Sequence, residues 1–131
     1  MLDLLKGAVD LETRGELDSA ILLLGEGLDA QGWPQGSLEV PPLTHYLAFL
    51  CERVGKPELG IAYVRKCLAS FPNDLGSLYT LAQLLILTGQ RDAAGAAVEA
   101  FRIACESSDE VYRREWAELV GPIEKDLDTI R

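Results

Sequence analysis

The chain has 131 residues, of which 48% are hydrophobic and 25% are charged, a balance typical of a folded domain rather than a disordered segment. Its formal net charge of −9 argues against binding to nucleic acid phosphates or to an anionic membrane surface. The N-terminus lacks a basic start followed by an apolar run, and the longest apolar run is far shorter than the ~18 residues of a membrane span. We therefore expect one cytoplasmic domain over residues 1–131.

The acidic side chains are distributed unevenly along the chain. Residues 1–40 carry eight acids and two bases, whereas residues 41–74 carry three acids and four bases. The four bases of the second segment could meet an acidic partner, although a solvated helix surface is the more ordinary interpretation. These bases are Arg53, Lys56, Arg65 and Lys66.

Three segments repeat one pattern of apolar and small residues. Residues 46–68 align with residues 80–102 at an offset of 34, and the N-terminal segment aligns with residues 46–68 at an offset of 40. In each segment two stretches of helical apolar spacing flank a glycine suited to a helix C-cap, at Gly15, Gly55 and Gly89. The sequence therefore predicts three helix–turn–helix units, at about 1–34, 41–74 and 75–108.

Small residues stand where the two helices of each unit would meet. A bulky side chain at such a position would splay the helix pair by overpacking. One unit cannot cover its own apolar face, but three units stacked side by side can. The predicted contacts are Ala8 with Ala20, Ala48 with Gly60, and Ala82 with Ala94.

This pattern resembles the tetratricopeptide repeat, a 34-residue helical hairpin with the consensus W-x2-L-G-x2-Y, A-x3-F and a closing Pro. The first unit fits less well, with Gly7 where Leu is expected and Gly32 where Pro is expected. The third unit allows two registers for its second helix, one with Ala94 and Val98 and the other three residues later. The second unit fits best, with Leu47-Ala48, Cys51, Gly60, Val64 and Pro72.

The resemblance implies an all-α fold, an α-solenoid of three TPR-like hairpins plus a C-terminal capping helix at about 109–131. We expect Ser107 or Ser108 to cap this last helix and Gly121-Pro122 to kink or break it. As an alternative to capping, Trp116 could anchor a dimer partner. The apolar stripe of the segment consists of Tyr112, Trp116, Leu119, Ile123, Leu127 and Ile130.

The junction between the first two units, residues 29–42, holds six residues beyond the 34-residue period, with glycines, prolines and Trp33. Lengthening a surface loop in this way costs little free energy. We expect Trp33 to pack back on the first hairpin and seal its exposed edge. Alternatively, Trp33 is a binding anchor on the rim of the molecule.

The sequence contains no recognisable catalytic, metal-binding or cofactor motif. There is one histidine, and the three cysteines lie within apolar helical patterns without metal-ligand spacing. We expect a protein that is not an enzyme and that needs no cofactor or metal. The cysteines are Cys51, Cys67 and Cys105.

In proteins of the family that this chain resembles, the first helix of each repeat lines a concave groove that binds a partner. The Lys and Asn of the carboxylate-binding subset are replaced here by Leu5 and Val9. The implied groove is apolar and suited to a peptide or helix of another protein. Its residues would be Leu5, Val9, His45, Phe49, Arg53, Tyr79, Gln83, Ile86 and Leu87.

Three alternatives remain open at this point. The protein could be a secretion or assembly chaperone that shields an apolar subunit segment. It could also be a scaffold that self-assembles, as a homodimer for example, through the groove or through Trp116. Finally, the groove residues could pack against neighbouring helices, or the C-terminal helix could cover them.

Overall fold

The computed structural model describes residues 2–130, excluding the side chains of Leu2 and Tyr112, so the predicted stripe position Tyr112 lies outside the description. Seven helices form within this range, and the described residues contain no strand, as the all-α prediction requires. The helices are α1 (Leu2–Thr13), α2 (Leu17–Ala30), α3 (Val40–Arg53), α4 (Pro57–Ser70), α5 (Leu75–Leu87), α6 (Arg91–Ser107) and α7 (Glu110–Asp128).

The helices pack in chain order as antiparallel pairs, α1 with α2, α3 with α4, and α5 with α6. Each pair also contacts the next, since α2 lies against α3 and α5 lies against both α3 and α4. The last helix, α7, packs mainly on α6 and partly on α5. The first helices of the second and third pairs, α3 and α5, are therefore neighbours.

A glycine in the left-handed conformation lies in the turn within each pair. The φ angles are 79° at Gly15, 77° at Gly55 and 71° at Gly89. This conformation strains residues with a Cβ atom, which explains why glycine recurs at these turns. The predicted turn positions are confirmed.

The small residues predicted to join each pair are all buried, with Ala8, Ala20, Ala82 and Ala94 at 0% exposure. At Gly60 an added Cβ would lie 3.3 Å from Leu84 Cδ1 and 3.4 Å from Cys51 Cβ. The backbones therefore approach as closely as small residues allow.

The buried side chains form two clusters. One joins α1, α2 and Trp33 to α3 and to Cys67 of α4. The other joins α5, α6 and Ile123 of α7 to Ala48 of α3 and to two residues of α4, Ile61 and Val64. Because α3 and α4 contribute to both clusters, they connect the two halves of the core.

Both predicted registers of α6 describe real parts of its buried face. Ala94 and Val98 are buried, and so are Ala97 and Phe101 of the alternative register. Since α6 packs against α5 and against α7, it needs a wider apolar face than a helix with one neighbour.

The predicted N-cap of the C-terminal helix is wrong, and so is the predicted break at Gly121-Pro122, which was the alternative to a kink. Ser108 is the C-cap of α6, and Asp109 precedes α7 without a side-chain capping hydrogen bond. Pro122 lies inside α7, which continues to Asp128 without a break. Ile123, directly after this proline, is 1% exposed in the core, so packing holds the helix together despite the lost backbone donor.

No helix found between residues 2 and 130 combines the length and the apolar character that crossing a membrane requires.

The close contact at Gly60 yields a stability prediction. We expect Gly60→Leu to lower the free energy of unfolding by about 1–3 kcal/mol, because the side chain would press on Leu84 and Cys51. Gly95, in α6, is the matched control, because nothing lies within 4 Å of a Cβ placed there. Gly95→Leu should leave stability unchanged or raise it by up to about 1 kcal/mol through helix propensity. Urea unfolding followed by circular dichroism measures both, and equal effects would contradict the close contact.

Candidate functional site

Six of the nine predicted groove residues have exposed side chains. Half of Phe49 on α3 is accessible to solvent, and Leu87 at the end of α5 is 58% exposed. Apolar side chains of this size on a surface mark a candidate interface when they lie near one another. The six are Leu5 and Val9 on α1, Phe49 and Arg53 on α3, and Gln83 and Leu87 on α5.

Three predicted residues meet at a cleft between α3 and α5. His45 and Phe49 form its α3 side and Gln83 lies on its α5 side, around a volume of about 230 Å³. Glu52 and Thr80 complete the polar part of this cleft. The cleft thus combines an aromatic surface with an amide, a hydroxyl and a carboxylate, groups that orient a bound peptide.

A second cleft of about 450 Å³ lies at the N-terminal ends of the same two helices. His45 lines it too, together with Gly76, and Trp116 of α7 forms another part of its wall. Leu38, in the loop before α3, is 84% exposed and lies at this cleft. Of its lining, His45 and Trp116 were predicted as candidate binding residues, whereas sequence analysis missed Leu38, which lies in the proline-rich junction at residues 29–42.

Tyr79 and Ile86 line neither of these two clefts. The Tyr79 ring packs 5.3 Å from Phe101 and 6.1 Å from Trp116, measured between ring centroids, and Ile86 packs at the edge of the same core cluster. At Tyr79, the C-terminal helix therefore covers part of the predicted surface, as one of the alternatives expected. Trp116 is half-buried in these intramolecular contacts, 6.0 Å from the Phe101 ring.

Arg53 holds Phe49 from one side. Its guanidinium carbon lies 5.6 Å from the centre of the Phe49 ring, and Nη1 donates a hydrogen bond of 2.7 Å to Glu12 Oε2 of α1. The Tyr46 hydroxyl donates to the other oxygen of Glu12. Burial, together with this hydrogen bond to a carboxylate, raises the pKa of Tyr46 to about 12. Glu12 therefore links α1 to α3 beside the exposed ring.

The bases of α3 and α4 are used mainly within the chain. Besides Arg53, Lys56 lies 3.4 Å from Asp18 and Lys66 lies 2.9 Å from Asp29. Three of the four bases considered for an acidic partner thus pair with acids of the first helix pair. These intramolecular pairs account for three of the four bases, and the interpretation as a binding patch for an acidic partner stays a prediction.

His45 lies over the N-terminus of α5. Its Nε2 is 3.3 Å from Ser77 Oγ and 3.5 Å from Asp74 Oδ2. A Cβ at position 76 would overlap the imidazole, so Gly76 creates the space for it. The backbone N–H and the hydroxyl of Ser77 both donate to Asp74, at 2.9 and 2.7 Å. Asp74 is thus the N-cap of α5, and Ser77 is fully buried beside it.

The surroundings of Asp74 favour its ionised form. Burial raises the pKa of this carboxyl group, but hydrogen bonds from His45 and Ser77 outweigh burial and set its pKa below the ordinary value of 3.8.

Trp33 faces inward, as the first of the two alternatives expected. It is 8% exposed, its Nε1 donates a hydrogen bond of 2.8 Å to Asp29, and its ring stacks on Tyr63 at 6.2 Å. Ser70 also donates to the Trp33 carbonyl oxygen. Trp33 therefore joins α2 to α4 instead of sealing the first hairpin alone. Its φ of 50° is unusual for a residue with a side chain, and the burial of the indole offsets this strain.

The three cysteines are free and buried, and burial raises the pKa of each thiol, to about 11 at Cys51. Across residues 2–130, no group of three or more His, Cys, Asp or Glu side chains is arranged to hold a metal ion.

Comparison with family models and with curated proteins gives no match for this sequence. The class that the described residues define is a seven-helix all-α protein with sequentially packed antiparallel pairs and two adjoining clefts between α3 and α5.

Because the pKa of Asp74 is depressed, its carboxylate contributes stability that is complete above about pH 5 and is lost as the pH falls through its lowered pKa. We therefore expect Asp74→Asn to lower the free energy of unfolding at pH 7, and the difference from the wild type to shrink towards pH 3. Urea midpoints at both pH values measure this. A difference that does not change with pH would show that the charge of Asp74 is not involved.

Trp33 yields a second stability prediction. Trp33→Ala should lower the free energy of unfolding by about 3 kcal/mol through lost burial. Trp33→Phe, which keeps an aromatic ring but loses the hydrogen bond to Asp29, should cost about 1 kcal/mol. Thermal and urea unfolding compare the two variants with the wild type. An unchanged midpoint for Trp33→Ala would mean that the indole is not part of the core.

Proposed function

We propose that this protein is a non-enzymatic interaction module, an adaptor or assembly factor that binds a peptide or helix of a partner protein. The observation that carries the proposal is the half-exposed Phe49 ring beside the cleft that His45 and Gln83 also line. An aromatic side chain held at the surface next to polar groups is typical of a binding anchor. Leu5 and Val9 on α1 and Leu87 at the end of α5 are further exposed apolar side chains on first helices, although none of them lines either cleft.

The proposal takes the three helix pairs as TPR-like hairpins in a solenoid with α7 as the cap. The three left-handed glycines at corresponding turns support it, as do the three buried small-residue contacts. In such an arrangement the first helices α1, α3 and α5 share one side of the molecule. The contacts of Glu12 with Tyr46 and Arg53, and the packing of α3 on α5, support this placement.

The test uses two pairs of apolar residues with matched exposure. Phe49 and Leu87 are 50% and 58% exposed on first helices, while Ile103 and Leu22 are 50% and 58% exposed on second helices. The double variant Phe49→Glu with Leu87→Glu should reduce the amount of partner captured from a native lysate by at least about tenfold, because the anchors are lost. The double variant Ile103→Glu with Leu22→Glu should capture as much as the wild type. Quantitative mass spectrometry measures both.

Circular dichroism and urea unfolding confirm that both variants fold before capture is compared. Equal capture by the two double variants would rule out the proposed surface. Static light scattering on the same samples tests the scaffold alternative. A loss of self-association only in the Phe49 and Leu87 variant would favour that alternative.

A further inference from the structure

The two clefts between α3 and α5 are successive parts of one groove. His45 lines both, so it marks their boundary. Pro41 and Gly76 contribute at one end, whereas Glu52 and Leu84 contribute at the other. The groove therefore follows α3 over residues 41–52, about 16 Å at 1.5 Å per residue. This α3–α5 groove, defined by the residues that line the two clefts, is long enough for about three turns of a helix.

Acidic groups lie towards both ends of the α3–α5 groove. Glu52 lines the cleft beside Phe49, and Asp74 lines the cleft that contains Leu38 and Trp116. Neither cleft has a Lys or Arg in its lining. Within the described part of the chain, no basic group lies within 4 Å of the Glu52 carboxylate in an ion pair. The groove thus presents apolar surface with an uncompensated carboxylate at the Phe49 end.

The two bases that follow Glu52 most closely in the chain are paired with other acids. Arg53, the next residue, is held by Glu12 of α1, and Lys56 pairs with Asp18. The whole chain carries a formal net charge of −9, so a second copy would be repelled by the same field. Charge complementarity therefore favours a partner segment that brings its own positive charge.

We infer that the α3–α5 groove binds a basic amphipathic segment of another protein, with a Lys or Arg that pairs with Glu52 and a large apolar side chain against Phe49. The inference rests on the proposed function, since it names the class of partner for the same surface. A second apolar side chain enters the larger cleft beside Leu38 and Trp116. The positive charge sets specificity and the apolar contacts supply most of the affinity.

The test is a selection with the full-length protein as bait and a displayed library of random 14-residue peptides as probe. The wild type should enrich peptides that combine large apolar residues with Lys or Arg, and Phe49→Glu should abolish that enrichment. For the best synthetic peptide, Glu52→Lys should weaken binding about tenfold, because an attraction becomes a repulsion. Glu26→Lys on α2 changes the net charge equally but lies outside both clefts, so it should leave the affinity within about twofold.

A second binding measurement reverses both charges of the proposed ion pair. A peptide in which the critical Lys or Arg is replaced by Glu should bind Glu52→Lys better than it binds the wild type. Equal weakening by Glu52→Lys and Glu26→Lys would overturn the pairing with Glu52, because only the net charge would then matter.

The outcomes separate this inference from the proposed function. Enriched peptides that depend on Phe49 but are neutral or acidic would overturn the inference and leave the proposed function standing. Enrichment that Phe49→Glu leaves unchanged, or no enrichment at all, would overturn both the inference and the proposed function for short peptide segments. Self-association of the wild type that is lost in Phe49→Glu would replace the basic partner with a second copy of the chain.

Discussion

The arrangement of the helices depends on the close backbone approach within each pair, which only small residues permit. Gly60 shows how far this constraint reaches, because its missing side chain leaves space that Ala48 and Cys51 of α3 and Leu84 of α5 share. The absence of a side chain at position 60 therefore lets α4 pack against α3 and leaves space for α5 beside both helices. Since α5 is then a neighbour of α3, the α3–α5 groove is a consequence of packing in the core rather than an independent surface feature.

Ion pairs add to this packing where the first helix pair meets the second. The acids of residues 1–40 and the bases of residues 41–74 meet as three ion pairs between the first and second helix pairs. Exposed pairs of this kind contribute about 0–1 kcal/mol each, so they set the register of α1 and α2 against α3 and α4 more than they stabilise it. They also use the bases that would otherwise balance the acids near the groove. Part of the uneven charge of the sequence is therefore used in contacts inside the molecule.

Helical periodicity and turn glycines were enough to predict the three pairs, because each rests on residues close in sequence. Gly15, Gly55 and Gly89 mark the turns directly. What the sequence could not supply is which helix covers which face. Tyr79 has the spacing of a groove residue, yet Trp116, 37 positions later, packs on it. Likewise, Gly121-Pro122 predicts a kink or a break, and the helix is unbroken beside the buried Ile123. In both cases long-range packing, which local preference does not report, decides the surroundings of the residue.

The position of Phe49 combines local and long-range causes in the same way. Its place on α3 follows from periodicity, but its orientation depends on Arg53, which stacks on the ring while Glu12 of α1 holds the guanidinium. One face of the ring is thus supported and the remaining surface stays exposed. A side chain held in this way loses less conformational entropy when a partner packs on it, so more of the hydrophobic free energy appears as affinity. In the proposed function, the ion pair from α1 would therefore act on binding through a residue of α3, and the first helix pair would contribute to the groove without lining it.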